Sequence, residues 1–463
     1  MKYCARPYNH LHFDPGGNVR ICSWTDVNIG NILEEDIEDI WHGEKAEKFR
    51  ESIADGSFRF CRKTSCPFLE NDSLEDLGKS EFIERAKVEK LPAQFNVAND
   101  FICNHSCPSC RENVFIPDEQ YAQNMDKMEE VLLPLLNQAT AISACGNGDL
   151  FASPYMMRLL QQVHPVDKSC RISLETNGAL FNENNWKKIS HLAEYGLYVA
   201  VTPNSYVKTT HYYLCGNHDS YDEVMKNLKF ISELREQEII NRLEISIVLQ
   251  DRNFLELPDF AVQSIEKFKA DLVTVKPLYK WFALDEETYW FKDVLNPLHP
   301  YHQEYLNMME HPALKNPKVY FWGAKNLHPA QKHPAYLYKE IADYLNWILL
   351  TDDAGVRLSN LIQKQGLKNI IIYGENQLTE PIIRLLQDNH VEIKMIMAKY
   401  PEKEKILGMR VMKFSDYKKS DEDLIFVMNY DKLDYIKRDF EFINFNGEII
   451  RIDKMLFTLK ENM

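Results

Sequence analysis

From about Gln94 to Tyr279 the chain alternates short β-branched runs with longer amphipathic stretches, and this pattern restricts its fold more than any other feature. The strand candidates are AQFNVANDF, AISACGNG, CRISLETNG, LYVAVTP, RLEISIVLQ and LVTVKPLY. Between them lie helix-like stretches such as EQYAQNMDKMEEVLLPLL, NNWKKISHLAEY, SYDEVMKNLKFISELREQ and LELPDFAVQSIEKF. Strands separated by helices of this length read as repeated βα units, which place neighbouring strands parallel. Ligands of parallel sheets collect at the C-terminal strand ends, so the loops beginning at Cys103, Gly146, Asn177 and Pro203 are expected to face one site.

Cysteine spacing is the second constraint. The ten cysteines stand at 4, 22, 61, 66, 103, 107, 110, 145, 170 and 215. No apolar run approaches the roughly 18 residues of a membrane span, and MKYCARPYNHLHFDPGG lacks the apolar stretch of a signal peptide, so a cytosolic protein is expected. There, thiols serve as metal ligands or core residues more often than as disulfides. The 45% hydrophobic and 27% charged composition is that of ordinary globular proteins. A formal charge of -15 offers no general attraction to nucleic acid or to anionic membranes.

CNHSCPSC gives CxxxCxxC at Cys103, Cys107 and Cys110, directly after the first strand of the βα series. Three thiolates from one short loop suit three corners of a cubane cluster and leave one iron open, although cysteine pairs at such spacings also suit zinc. Here the chain resembles the radical SAM superfamily, through most of Gln94 to Tyr279. The resemblance implies an α/β fold with a partial (βα)6 TIM-like barrel and a [4Fe-4S] cluster on Cys103, Cys107 and Cys110. It implies further that S-adenosylmethionine is bound by Gly146, Asn147, Gly148 and Asp149, by Thr176 and Asn177 in ETNG, and by Thr202 and Asn204 in VTPNS. Reductive cleavage would yield a 5'-deoxyadenosyl radical that abstracts hydrogen from a substrate carbon, with flavodoxin or ferredoxin as reductant. Ser109 stands where the family has an aromatic before its third cysteine, and Cys215 and Gly216 stand in place of its Arg-Gly pair.

The N-terminal cysteines form a separate set. Cys4 and Cys22 fit C-x12-G-x4-C through Gly17, and Cys61 and Cys66 close the stretch before Pro67. With GGNVRIC, IGNI and IEDIW between them, these residues resemble the SPASM module of radical SAM enzymes, which normally follows the barrel and here precedes it. The resemblance implies one auxiliary [4Fe-4S] cluster on Cys4, Cys22, Cys61 and Cys66, with a Cys4 zinc staple as the other reading. Cys145 and Cys170 lie in apolar strand contexts and take no role. Cys215, in the loop after the fourth strand, is a candidate hydrogen donor to a substrate radical or an ordinary loop cysteine.

The expected organisation is a cysteine module at 1–72, a linker at 73–92, the radical SAM core at 93–280, a loop-rich extension at 281–334, and a helical connector with a second α/β unit at 335–463. That last unit resembles small Rossmann-like domains of sugar-modifying proteins. Its NIIIYGENQLTEP turn keeps only Gly374 of the glycine fingerprint, with Asn376 and Thr379 in the other places. The function expected is oxidation, epimerisation or rearrangement of a peptide, sugar or small metabolite. The alternatives are a radical SAM methyl or group transferase, for which no D-x-H-x-x-G cobalamin signature is present, and a noncatalytic metal-binding scaffold.

Overall fold

The computed structural model describes residues 1–322 except 64, 65, 112, 145, 217 and 281–283, and beyond them positions 333 and 339 and most of 354–451. The chain divides into two compact units, Met1–His333 and Pro334–Met463. The helical connector AYLYKEIADYLNWILL, apart from Lys339, falls outside the described residues, as do Cys145 and Asn376.

The first unit is built on one ten-stranded sheet. Three strands come from the N-terminal module: β1 (His10–Phe13), β2 (Asn18–Arg20) and β3 (Gly30–Asn31). Seven follow from the core: β4 (Gln94–Val97), β5 (Ala141–Ala144), β6 (Arg171–Thr176), β7 (Gly196–Val201), β8 (Arg242–Leu249), β9 (Leu272–Pro277) and β10 (Val319–Phe321). Strands β4 to β10 lie side by side in chain order, each parallel to its neighbours. The module does not stand apart from them. Its β1 pairs parallel with β4, His12 opposite Asn96, while β2 and β3 continue antiparallel beyond it.

Alternation along the strands sorts the two faces of the sheet. Phe95, Ile142, Ile172, Leu174, Val199, Ile245, Val273 and Val275 are all buried and form the apolar side. The opposite face carries Asn96, Ser143, Ser173 and Tyr198 in one register row, with Glu175, Glu244, Thr274 and Lys276 further along. The intervening helices include α3 (Glu119–Leu136), α4 (Pro154–Gln162), α5 (Glu183–Ile189), α6 (Lys208–Leu214), α7 (Tyr221–Glu236) and α8 (Leu257–Glu266). Ser153 caps α4, its Oγ accepting from Met156 N at 3.0 Å.

Two segments differ from the sequence reading. Within 281–334, read as loop-rich, the chain forms helices Glu286–Lys292 and His302–Met309 and adds β10 to the sheet. A strand of three residues is too short to show periodicity, and its pairing comes from β9. Within 73–92, read as a linker or a solvated helix, helix Lys79–Arg85 forms but buries Phe82 edge-on to Tyr3 at 5.6 Å, and Glu75–Asp76 pairs with Lys2–Tyr3.

The second unit holds a six-stranded sheet of β11 (Ile370–Tyr373), β12 (Ile393–Ala398), β13 (Lys405–Ile406), β14 (Met409–Lys413), β15 (Leu424–Val427) and β16 (Glu448–Arg451). They are arranged β13-β14-β12-β11-β15-β16, with all neighbours parallel except the β13–β14 pair. Two apolar clusters, one around Ile370, Ile372 and Phe426 and one around Ile371, Ile425 and Phe440, line its two faces. Helices α9 (Ala354–Lys364) and α10 (Thr379–Asp388) carry Leu358 and Ile382 into the first cluster. Among the described residues no helix is long and apolar enough to cross a membrane.

Candidate metal centres

The four N-terminal cysteines, separated by up to 62 positions, converge on one cavity. Cys4 follows strand Lys2–Tyr3, Cys22 follows β2, and Cys61 precedes Cys66, the residue before helix Pro67–Glu70. The fold between them is fixed by α1 (Ile37–His42) and α2 (Glu44–Ala54). Asp36 caps α1 by accepting from Glu38 N at 2.8 Å, which sets Ile40 and Trp41 into the core. Arg50 of α2 stacks over Trp41 at 4.3 Å and donates to the Pro7 and Trp41 carbonyls. Thr25 Oγ1 donates to the Phe60 carbonyl at 2.9 Å, joining the Cys22 and Cys61 loops.

Phe49, Ile53, Phe58 and Phe68 share the walls of this cavity, and Arg6 is its cation. Burial pushes the Cys4 thiol up to about 12 and the Cys22 thiol upward, while Arg6 opposes both. Thiols in such a place stay protonated until a metal takes them as thiolates. A single tetrahedral zinc ion with bonds of about 2.3 Å would hold its sulfurs about 3.8 Å apart. A [4Fe-4S] cubane held by four thiolates needs a larger frame than that.

The second thiol set projects from the C-terminal end of β4. Asp100, buried in the lead-in, accepts from Tyr121 Oη at 2.7 Å, Ile102 N at 2.9 Å and Ser153 Oγ. Cys103 Sγ accepts from His105 N at 3.5 Å, and a turn from Cys107 to Arg111 closes through Cys110 N to Cys107 O at 2.8 Å. Burial, helped by the charge of Asp149, pushes Cys103 up to about 12; a hydrogen bond with Cys215, then burial, raises Cys107.

The loops after β5, β6 and β7 grip this turn. Gly148 passes so close to Ile102 O, and Gly216 to Ser106 O, that a Cβ at either would overlap the carbonyl. Asn177 Nδ2 donates to Asn104 Oδ1 at 2.9 Å and lies 3.9 Å from Cys103 Sγ. Asn147 Nδ2 donates to Ala98 O at 2.9 Å. Asp149 is turned inward, accepting from Thr176 Oγ1 at 2.8 Å, Asn177 N at 2.7 Å and Phe151 N at 3.0 Å. It therefore joins the β5 and β6 loops, and its carboxylate is not open to an ammonium ligand. Asn204, at φ 61°, accepts from Val248 N at 2.9 Å, whereas Thr202 stays half-buried at the end of β7.

Two features escaped the sequence reading. Arg111 donates to Phe101 O at 2.6 Å and to Asn147 O and lies 3.8 Å from Cys110 Sγ, clamping the cysteine turn to the β5 loop. Its position one residue after the third cysteine was the available signal. The other is a histidine cluster: His105 meets Ser220 Oγ at 2.8 Å, Ser106 Oγ meets His218 at 3.1 Å, and His211 Nε2 lies 3.4 Å from Cys215 Sγ. Cys215 is buried beside Cys107 and His105, all three ligand atoms within 4.8 Å. Of the two readings of Cys215, hydrogen donor or ordinary loop cysteine, its burial at 3% exposed among protein groups favours the second.

Residues 4–67 match a family model described as SPASM, an iron-sulfur cluster-binding domain. The N-terminal module is SPASM-like. All four of its cysteines fall inside the match, as do Gly17 and the Ile37–Trp41 segment. No curated protein matches the chain. Among solved structures, Streptococcus suis SuiB bound to S-adenosylmethionine overlaps at TM-score 0.35 and 12% identity, covering 64% of this chain and 65% of that one. A second SuiB structure gives 0.35 and 14%, with 65% and 64% coverage, so the chain spans just under two thirds of SuiB's length. Methylornithine synthase (PylB) gives 0.30 and 11%, covering 49% of this chain and 70% of that one.

Proposed function

We propose that the chain is a radical SAM enzyme, with one [4Fe-4S] cluster on Cys103, Cys107 and Cys110 and an auxiliary [4Fe-4S] cluster in the SPASM-like module. The observation that carries this reading is the three-cysteine turn at the C-terminal end of β4, gripped by the loops after β5, β6 and β7. Parallel, sequential βα order supports a partial TIM-like barrel, with the polar face of the sheet as its interior. When bound, the cluster supplies the electron that cleaves S-adenosylmethionine to a hydrogen-abstracting radical.

The chain's own residues would hold and screen that chemistry. Arg111 and Asn177 fix the thiol turn, Gly146–Gly148 bring backbone close to it, and Thr202 remains for a ribose hydroxyl. With Asp149 committed to Thr176 and Asn177, the backbone of Gly146–Gly148 is left to meet the cosubstrate's amino acid part. The substrate is oxidised, epimerised or rearranged, with flavodoxin or ferredoxin as reductant in the cytosol. The second unit is read as a Rossmann-like docking domain because β11 is central and the order runs 3-2-1-4-5 around it. Glu375 just after β11, Glu380 in the first turn of α10, and Thr379 Oγ1 bonded to Gly374 O at 3.4 Å argue against a phosphate in its turn.

Anaerobic reconstitution with iron and sulfide, followed by assay for 5'-deoxyadenosine, tests the proposal. Cleavage supports it. A protein that takes up iron and sulfide and forms no 5'-deoxyadenosine would instead be a scaffold.

A further inference from the structure

The polar face of the first sheet ends in a corner with unused hydrogen-bonding capacity. Lys276, near the C-terminal end of β9, holds its Nζ 4.0 Å from Glu175 Oε2, beyond hydrogen-bond length, and 5.8 Å from the centre of the Trp322 ring. Two residues earlier on the same strand face, Thr274 is 3% exposed and its Oγ1 has no partner among the described residues. Trp322 Nε1 is also buried and without a partner among the described residues. Trp322 follows β10, the neighbour of β9, and its backbone N donates to Val275 O at 2.9 Å, which keeps it beside these groups. Trp24 of the SPASM-like module meets Trp322 edge-on at 4.5 Å and gives the corner an apolar wall.

Leaving a buried donor without an acceptor is costly, so two such donors on the strand face that carries Lys276 ask for a ligand that accepts. The charge balance narrows which ligand. One ammonium faces Glu175, and Glu244 lies on the same sheet face, its register partner Leu272 two residues from Thr274. A dianionic phosphate would meet more negative than positive charge there. A carboxylate with an ammonium beside it would satisfy both sides: the carboxylate accepts from Lys276, Thr274 and Trp322, and the ammonium donates to Glu175. We infer that this corner binds an amino-acid head group of the substrate, with the module's Trp24 packed on its side. The inference takes the existence of a substrate from the proposed radical chemistry and adds its recognition group.

Ligand-observed saturation-transfer NMR on the reconstituted full chain tests it with L-alanine and propionate as probes. L-Alanine is expected to give a saturable, millimolar signal that Lys276→Met weakens about tenfold or more. Glu175→Gln is expected to weaken L-alanine while leaving propionate unchanged. Iron content equal to the parent's shows that both variants are folded. The inference is overturned by no saturable signal, by insensitivity to Lys276→Met, by inorganic phosphate displacing the probe better than propionate does, or by S-adenosylmethionine displacing it, which would give the corner to the cosubstrate. Formation of 5'-deoxyadenosine in the same preparation separates the two readings: L-alanine binding without cleavage sinks the proposed function alone, and cleavage without binding sinks this inference alone.

Discussion

At Gly216, with φ at +75°, the chain turns where an L side chain would be strained and where a Cβ would overlap the carbonyl of Ser106 in the thiol turn. Gly216→Ala should cost roughly 1–3 kcal/mol and push that turn out of place. Its expected signature is a lower melting temperature with loss of iron from the Cys103 set only. Arg111→Met should act more narrowly, lowering iron retention at that set while the melting temperature stays close to the parent's. His10 gives a pH test. Burial, reinforced by Arg6, holds its imidazole down to about 3, well below the ordinary 6.5. Below pH 6.5 the unfolded chain takes a proton that the folded one refuses, so stability falls as pH drops from 6.5 toward 3, by up to about 1.4 kcal/mol per pH unit. Above 6.5 this residue adds no pH dependence. Urea midpoints at pH 7.5, 6.5 and 5.5 should show a steeper acid loss in the parent than in His10→Gln, and equal slopes would contradict the assignment.

At the level of elements, β1 covers the edge of β4. Removing residues 1–92 should leave unpaired backbone along β4 and yield aggregated protein by size exclusion; a soluble monomer would show that the module is dispensable to the sheet. The six core strands were legible because each carries a buried apolar row such as Ile172 and Leu174, and their order followed from the helices between them. The join of β1 to β4 was not legible, since HLHF carries no mark of its partner and a parallel pairing across 80 residues is decided by tertiary packing. Helix α4 was missed although Ser153 and Pro154 form a usable start signal, because PYMMRLLQQ is short. The seven thiols were legible as two sets from spacing alone. The inward turn of Asp149 and the enclosure of Cys215 were not, because both depend on side chains from other loops.

The whole molecule combines two units with separate cores, one carrying both thiol sets and the other a mostly parallel sheet with Glu375 just after its central strand. The account places two clusters in the first unit, so function should follow Met1–His333 and its seven thiols. The most direct test compares anaerobically reconstituted parent protein with the triple variant Cys103→Ala, Cys107→Ala and Cys110→Ala for iron, sulfide and 5'-deoxyadenosine. The account predicts about eight irons in the parent, about four in the variant, and S-adenosylmethionine cleavage only in the parent. Zinc in place of iron and sulfide, or cleavage that survives the loss of all three thiols, would contradict it.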